Sequence, residues 1–99
     1  MDFIVGSWMV ETDGFHNDEK LRLRLGLVIP GLGARVSFTR QWNQHGECWQ
    51  WTTVDKIDPA YLDEYNGILD GLVLTHPTLY IFADELGIER EGVSDGTHT

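Results

Sequence analysis

Alternation of apolar and polar residues with a period of two runs through the first half of the chain. In "SWMVET" it sets Trp8, Val10 and Thr12 on one face and Met9 and Glu11 on the other. "LRLRLGLVI" is the clearest case: Leu21, Leu23, Leu25, Leu27 and Ile29 share a face, opposite Arg22, Arg24 and Gly26. A helix would scatter those leucines around its circumference, whereas a strand lines them up. "PGLG" breaks the run. "ARVSFTRQW" then resumes it, with Val36, Phe38, Arg40 and Trp42 against Arg35, Ser37, Thr39 and Gln41. "NQHGE" reads as a hairpin loop in which Gly46 takes positive φ. In "CWQWTTV", Trp49, Trp51 and Thr53 face away from Cys48, Gln50 and Thr52. Successive strands joined by short turns predict an antiparallel meander.

The rhythm changes at "DKIDPAYLDEYNG". Asp58 before Pro59 is a helix start and Gly67 a stop, which predicts one to two turns over about Pro59–Glu64. Asp70-Gly71 between apolar runs is a hairpin signal. Pro77 ends that strand, "TLYIFA" begins another with apolar groups on both faces, and "IEREGV" forms a last short strand. The expectation is a mainly β protein of about seven or eight short strands and at most one short helix, a single domain over residues 1–99. Closing the meander into a small barrel removes its aggregation-prone edges. The alternative is an α+β fold with a curved antiparallel sheet. In it "DPAYLDEYNGILDGL" forms a longer helix with Tyr61, Tyr65, Ile68 and Leu72 along one stripe.

The opening "FIVGSW" bears on this choice. Gly6 and Trp8 resemble the Gly-x-Trp signature at the first strand of the calycin group, the lipocalins and fatty-acid-binding proteins. The resemblance implies a calycin-like barrel in which the glycine lets the chain bend into the first strand and the tryptophan plugs the closed end. It also implies an arginine from the last strand over that tryptophan, here Arg90. The Arg-x-Tyr pair that grips a fatty-acid carboxylate in the intracellular members is absent. The competing reading makes Trp8 a core aromatic on the first strand of another β-rich fold.

Composition narrows the partners. The 99 residues carry a net charge of −9. Residues 1–54 hold six acids against five Lys/Arg and residues 55–99 hold ten against two, so the second half carries nearly all of it. An acidic chain lacks the cations that phosphate backbones and anionic membranes require, so neither nucleic acid nor membrane insertion is expected. The single cysteine, Cys48, forms no internal disulfide and suits a small buried hydrophobe. With no basic n-region and no long apolar run, a soluble, cytoplasmic protein is expected.

Candidate chemistry lies where polar groups interrupt apolar faces. Arg40 shares its face with Phe38 and Trp42, so it either snorkels at a rim or anchors a ligand. Trp49 and Trp51 are neighbours on one strand face and either pack the core or wall a pocket. Tyr65 and Tyr80 offer hydroxyls to a pocket or to backbone. The histidines, His16, His45, His76 and His98, show no metal-ligand spacing, and His76 before Pro77 is the one suited to acid/base work. "GLG" lacks the third glycine of a dinucleotide loop, so no cofactor and no metal is expected.

The expected function is a small-molecule binding protein holding an apolar or amphipathic ligand, acidic ones included, in a barrel pocket. Phe38, Arg40, Trp42, Trp49, Trp51, Tyr65 and Tyr80 are the expected ligand contacts. One alternative is a non-catalytic interaction module using the acidic half or the "TLYIFA" strand. Another is a barrel enzyme (cyclase, isomerase or hydrolase). The two-sided apolar character of "TLYIFA" further predicts a homodimer burying part of Leu79–Ala83.

Overall fold

The computed structural model describes residues 3–13, 20–31, 33–56 and 62–90. The chain divides into two compact units, Met1–Ile57 and Asp58–Thr99.

The first unit is the expected meander. Strands β1 (Ile4–Asp13), β2 (Lys20–Ile29), β3 (Ala34–Asn43) and β4 (Cys48–Thr52) pair antiparallel in the order β1-β2-β3-β4. The alternation read from the sequence sorts the sheet into two faces. One, the leucine face, carries Leu23, Leu25, Leu27, Phe38 and Arg40, all buried. The other, the arginine face, carries Arg22, Arg24 and Arg35. Gly31 and Gly33, at φ 86° and 66°, turn the chain from β2 into β3, a conformation that a side chain at Cβ resists. In the β3–β4 turn it is Glu47 at φ 51°, rather than Gly46, that takes the left-handed conformation. Asn43 Oδ1 steadies this turn by accepting from the backbone of His45 and Gly46. Cys48, expected to be buried, is exposed on the arginine side of β4.

Gly6 has a specific task. The pairing of β1 with β2 slips between Val5 and Ser7, so Gly6 is the extra residue of a bulge. Its Cβ position lies 3.1 Å from Val28 Cγ2, leaving little room for a side chain. The slip keeps Val5 opposite Leu27 and Trp8 opposite Leu25, so both apolar stretches of β1 reach the leucine face.

The sheet is open, which corrects the barrel of seven or eight strands. β1 and β4 are its edges, and the second unit is helical where further strands were expected. Trp8 is correspondingly no buried plug. It sits on the edge strand and is 41% exposed.

In the second unit, α1 spans Leu62–Thr75 and replaces both the short helix over Pro59–Glu64 and the hairpin at Asp70-Gly71. The longer-helix reading is therefore the one realised, although the fully buried stripe is Leu69 and Val73, with Tyr65, Ile68 and Leu72 half-buried. The Asp58-Pro59 start and Tyr61 lie outside the described residues. "TLYIFA" is not a strand. It forms a 3-10 turn, Leu79–Phe82, followed by a second, Asp84–Leu86, closed by Gly87 at φ 70°. That winding buries Leu79, Ala83 and Leu86 and turns Tyr80 and Ile81 outward, so the two-sided strand behind the expected dimer is not formed. Ile88–Arg90 is not a strand either, and the rest of "IEREGV" lies outside the described residues. Among the described residues no helix is long and apolar enough to cross a membrane.

Candidate functional site

The residues singled out from the sequence separate into groups. The register sets Arg40 opposite Trp51 and Trp42 opposite Trp49. Arg40 is 8% exposed, and its guanidinium carbon lies 5.6 Å from the Trp51 ring centre. Trp42 and Trp49 meet edge to face at 5.6 Å, and Lys20 Nζ sits 5.3 Å from the Trp42 ring. Cation and ring satisfy each other here, which gives these side chains a packing role on the leucine face. Tyr65 lies on α1 and Tyr80 on the first 3-10 turn, both in the second unit. Arg90 is engaged within its own unit: its Nε pairs with Asp84 at 3.1 Å, and it donates to the Tyr80 carbonyl and lies over the Tyr80 ring. His76 is a cap. Its Nδ1 accepts from the backbone N–H of Thr78 and of Leu79, each at 3.1 Å, holding the start of the 3-10 turn. That lone pair is occupied, so acid/base work at Nδ1 would cost the turn its cap. His16 and His98 lie outside the described residues.

A concave site is found instead on the arginine face. A trough of about 560 Å³ is lined by Ser7, Met9, Arg24, Gly26, Ser37 and Thr39, with Thr52, Thr53 and Val54 at its β4 end. Of the seven expected ligand contacts only Phe38 borders it. The register explains the hollow. Ser7, Gly26 and Ser37 stand side by side across β1, β2 and β3, and Met9, Arg24, Thr39 and Thr52 form the next rung on the same face. Two serines flanking a glycine leave a low floor, and the longer side chains of the second rung make a wall. A Cβ at Gly26 would stand 2.5 Å from Ser7 Oγ, so the serine already occupies what space that position has. Leu25 and Phe38, on the rung between, direct their buried side chains to the leucine face and lend only backbone.

β4 ends at Thr52, two residues short of the pairing that Ser37 needs. Side chains complete the ladder: Ser37 N–H donates to Asp55 Oδ2 at 2.8 Å, and the Thr53 hydroxyl donates to the Ser37 carbonyl. Asp55 N–H in turn donates to Thr53 Oγ1 at 3.1 Å, which fixes the β4 end of the trough.

At the opposite side Glu11 organises the cations. Its Oε1 lies 2.9 Å from Arg24 Nε and 3.3 Å from Arg22 Nε. The hydrogen bond from Arg22, aided by the positive charge of both arginines, holds the Glu11 carboxyl below the ordinary glutamate value against the opposing effect of burial. Arg24 is thus held at Nε. Among the described residues its Nη groups, and the hydroxyls of Ser7, Ser37 and Thr39, have no intramolecular partner. Hydrogen-bond donors therefore converge on one hollow without being used by the fold. No group of three or more His, Cys, Asp or Glu suited to a metal ion occurs among the described residues. No protein-family model, curated protein or solved structure matches the chain.

Proposed function

We propose that this chain binds a small amphipathic molecule in the trough on the arginine face. The observation that carries the reading is the convergence of unused donors, from Ser7, Ser37, Thr39 and Arg24, on a hollow of about 560 Å³. That volume is of the size that holds drug-sized ligands, and a few placed polar groups beside apolar surface are what orient them. Met9, 57% exposed and paired with Arg24 on the same face, provides the apolar border. Binding is favoured over catalysis because none of the described lining residues is a carboxylate, imidazole, thiol or amine, and the neighbouring Asp55 carboxylate is taken up by the Ser37 N–H. General acid/base chemistry needs such a group within hydrogen-bond reach of the substrate.

The test is a titration of isotope-labelled protein with a panel of small amphipathic compounds, followed residue by residue by amide NMR. Binding compounds are expected to shift the amides of Ser7, Gly26, Ser37 and Thr39. Ser37→Leu, at an exposed position, fills the floor and abolishes the shifts of the other three amides while the dispersed spectrum of the fold is kept. A panel that leaves these amides unmoved, or shifts confined to Arg40, Trp42, Trp49 and Trp51, refutes the assignment.

A further inference from the structure

The chemical class of that ligand can be read from the charges around the hollow. The chain carries −9 overall, yet the described side chains of the arginine face present Arg22, Arg24 and Arg35 against Glu11 and, at the β4 end of the trough, Asp55. In an acidic protein this is a local excess of positive charge, and it borders the trough. Arg22 and Arg24 both meet Glu11, but only Arg24 lines the hollow. With Nε held by Glu11 at 2.9 Å, the part of Arg24 left to a ligand is its terminal pair of Nη groups. That planar fork matches the two oxygens of a carboxylate, which it grips with parallel hydrogen bonds. The Ser7 and Ser37 hydroxyls flank Gly26, two residues along β2 from Arg24 on the same face, so both stand beside an anion seated there. Met9, paired directly with Arg24, supplies apolar contact next to the charged end.

We propose, resting on the binding function above, that the trough takes amphipathic carboxylates, with the Arg24 Nη groups as the anion fork and the Ser7 and Ser37 hydroxyls as supporting donors. The ligand's apolar body lies along Met9, and its carboxylate points into the floor at Gly26. Arg40, the cation expected to orient an acidic ligand, lies on the other face against Trp51.

Two probes of matched shape separate this inference from the reading it rests on: 2-naphthoate, an aromatic carboxylate, and its neutral amide, 2-naphthamide. Each is titrated into the full chain at neutral pH with amide NMR as the readout. Naphthoate is expected to shift Ser7, Gly26 and Ser37 and to bind about 10- to 100-fold more tightly than naphthamide, the range for charge-assisted hydrogen bonds. Arg24→Gln is expected to remove that preference, bringing the affinities for acid and amide together. Its side chain is 59% exposed, so the variant keeps the fold. Equal binding of acid and amide at the trough overturns the carboxylate inference and leaves the small-molecule reading standing. Binding of neither probe at the trough overturns both. The wild-type comparison between acid and amide decides the matter without any variant. A carboxylate preference that survives Arg24→Gln overturns the role of Arg24.

Discussion

Replacing Gly67 and Gly71 by alanine separates the helix from the hairpin that the same residues suggest. Both glycines lie inside α1, and a Cβ built at either meets nothing within 4 Å. Neither has the positive φ that marks Gly87. A glycine in an ordinary helical position costs about 0.5 to 1 kcal/mol relative to alanine, because it surrenders more backbone freedom on folding. With open space at both positions the gain is not offset by a clash, so each substitution should stabilise by that amount and the pair by about 1 to 2 kcal/mol. For a chain of this size that raises Tm by roughly 5 to 15 °C. Thermal and urea unfolding followed by far-UV circular dichroism measure it. Were Asp70-Gly71 the centre of a two-residue hairpin, position 71 would need positive φ, and alanine there would lose about 1 kcal/mol or more. Gly87→Ala supplies the opposite sign within the same unit, since φ 70° strains any side chain and should cost about 1 kcal/mol. A fall in stability for Gly71→Ala matching that of Gly87→Ala would refute the helix at this position.

Trp8→Ala should cost less than Leu25→Ala although tryptophan is the larger residue. Trp8 is 41% exposed on an edge strand, so about 100 Å² of burial is lost and solvent fills the gap, near 2 kcal/mol. Leu25, 1% exposed, leaves an internal cavity worth about 3 to 5 kcal/mol. Urea titration followed by circular dichroism ranks the two, and a larger loss for Trp8→Ala would restore the plug implied by the calycin resemblance. The acid limb of stability tests Glu11. Its carboxyl is held low in the folded chain, so its contribution is present above the unfolded value, about pH 4.3, and disappears as pH falls through the lower folded one. The stability gap between wild type and Glu11→Gln should stay constant above about pH 5 and close toward acid. A gap that widens as pH falls contradicts the pairing.

The first half of the fold was legible because its signal is local. A strand buried on one face writes period two into its own residues, and Leu21 to Ile29 carry it without interruption. The second half is ambiguous by the same rule. "GLVL" is a short apolar run, which a strand or a buried helix accommodates equally well. Asp70-Gly71 is a strong turn signal in isolation, but the four-residue step from Leu69 to Val73 buries both on one side of a helix. That burial outweighs the weak helix propensity of two glycines. The 3-10 turns after His76 were illegible for a different reason. They depend on an imidazole acting as a backbone cap, and no sequence period records it.

The proposed trough leaves a fainter trace in the sequence than Arg40, a charge on an apolar face whose guanidinium lies against Trp51. The trough lies on the polar face, where small residues are ordinary one strand at a time. A clue was present: Gly26 breaks the Arg-x-Arg-x series of β2, leaving a hole where the pattern asks for a long side chain. That Ser7 and Ser37 border the hole is a matter of register, and on the β1 side the register depends on Gly6. With Val5 fixed opposite Leu27, uninterrupted alternation would send Ser7 to the leucine face and Trp8 to the arginine face. The bulge reverses the phase, so Trp8 joins Leu25 and Ser7 stands beside Gly26. The glycine before the tryptophan therefore does two things with one inserted residue. It restores the apolar face of β1, and it delivers a free hydroxyl to the floor of the trough.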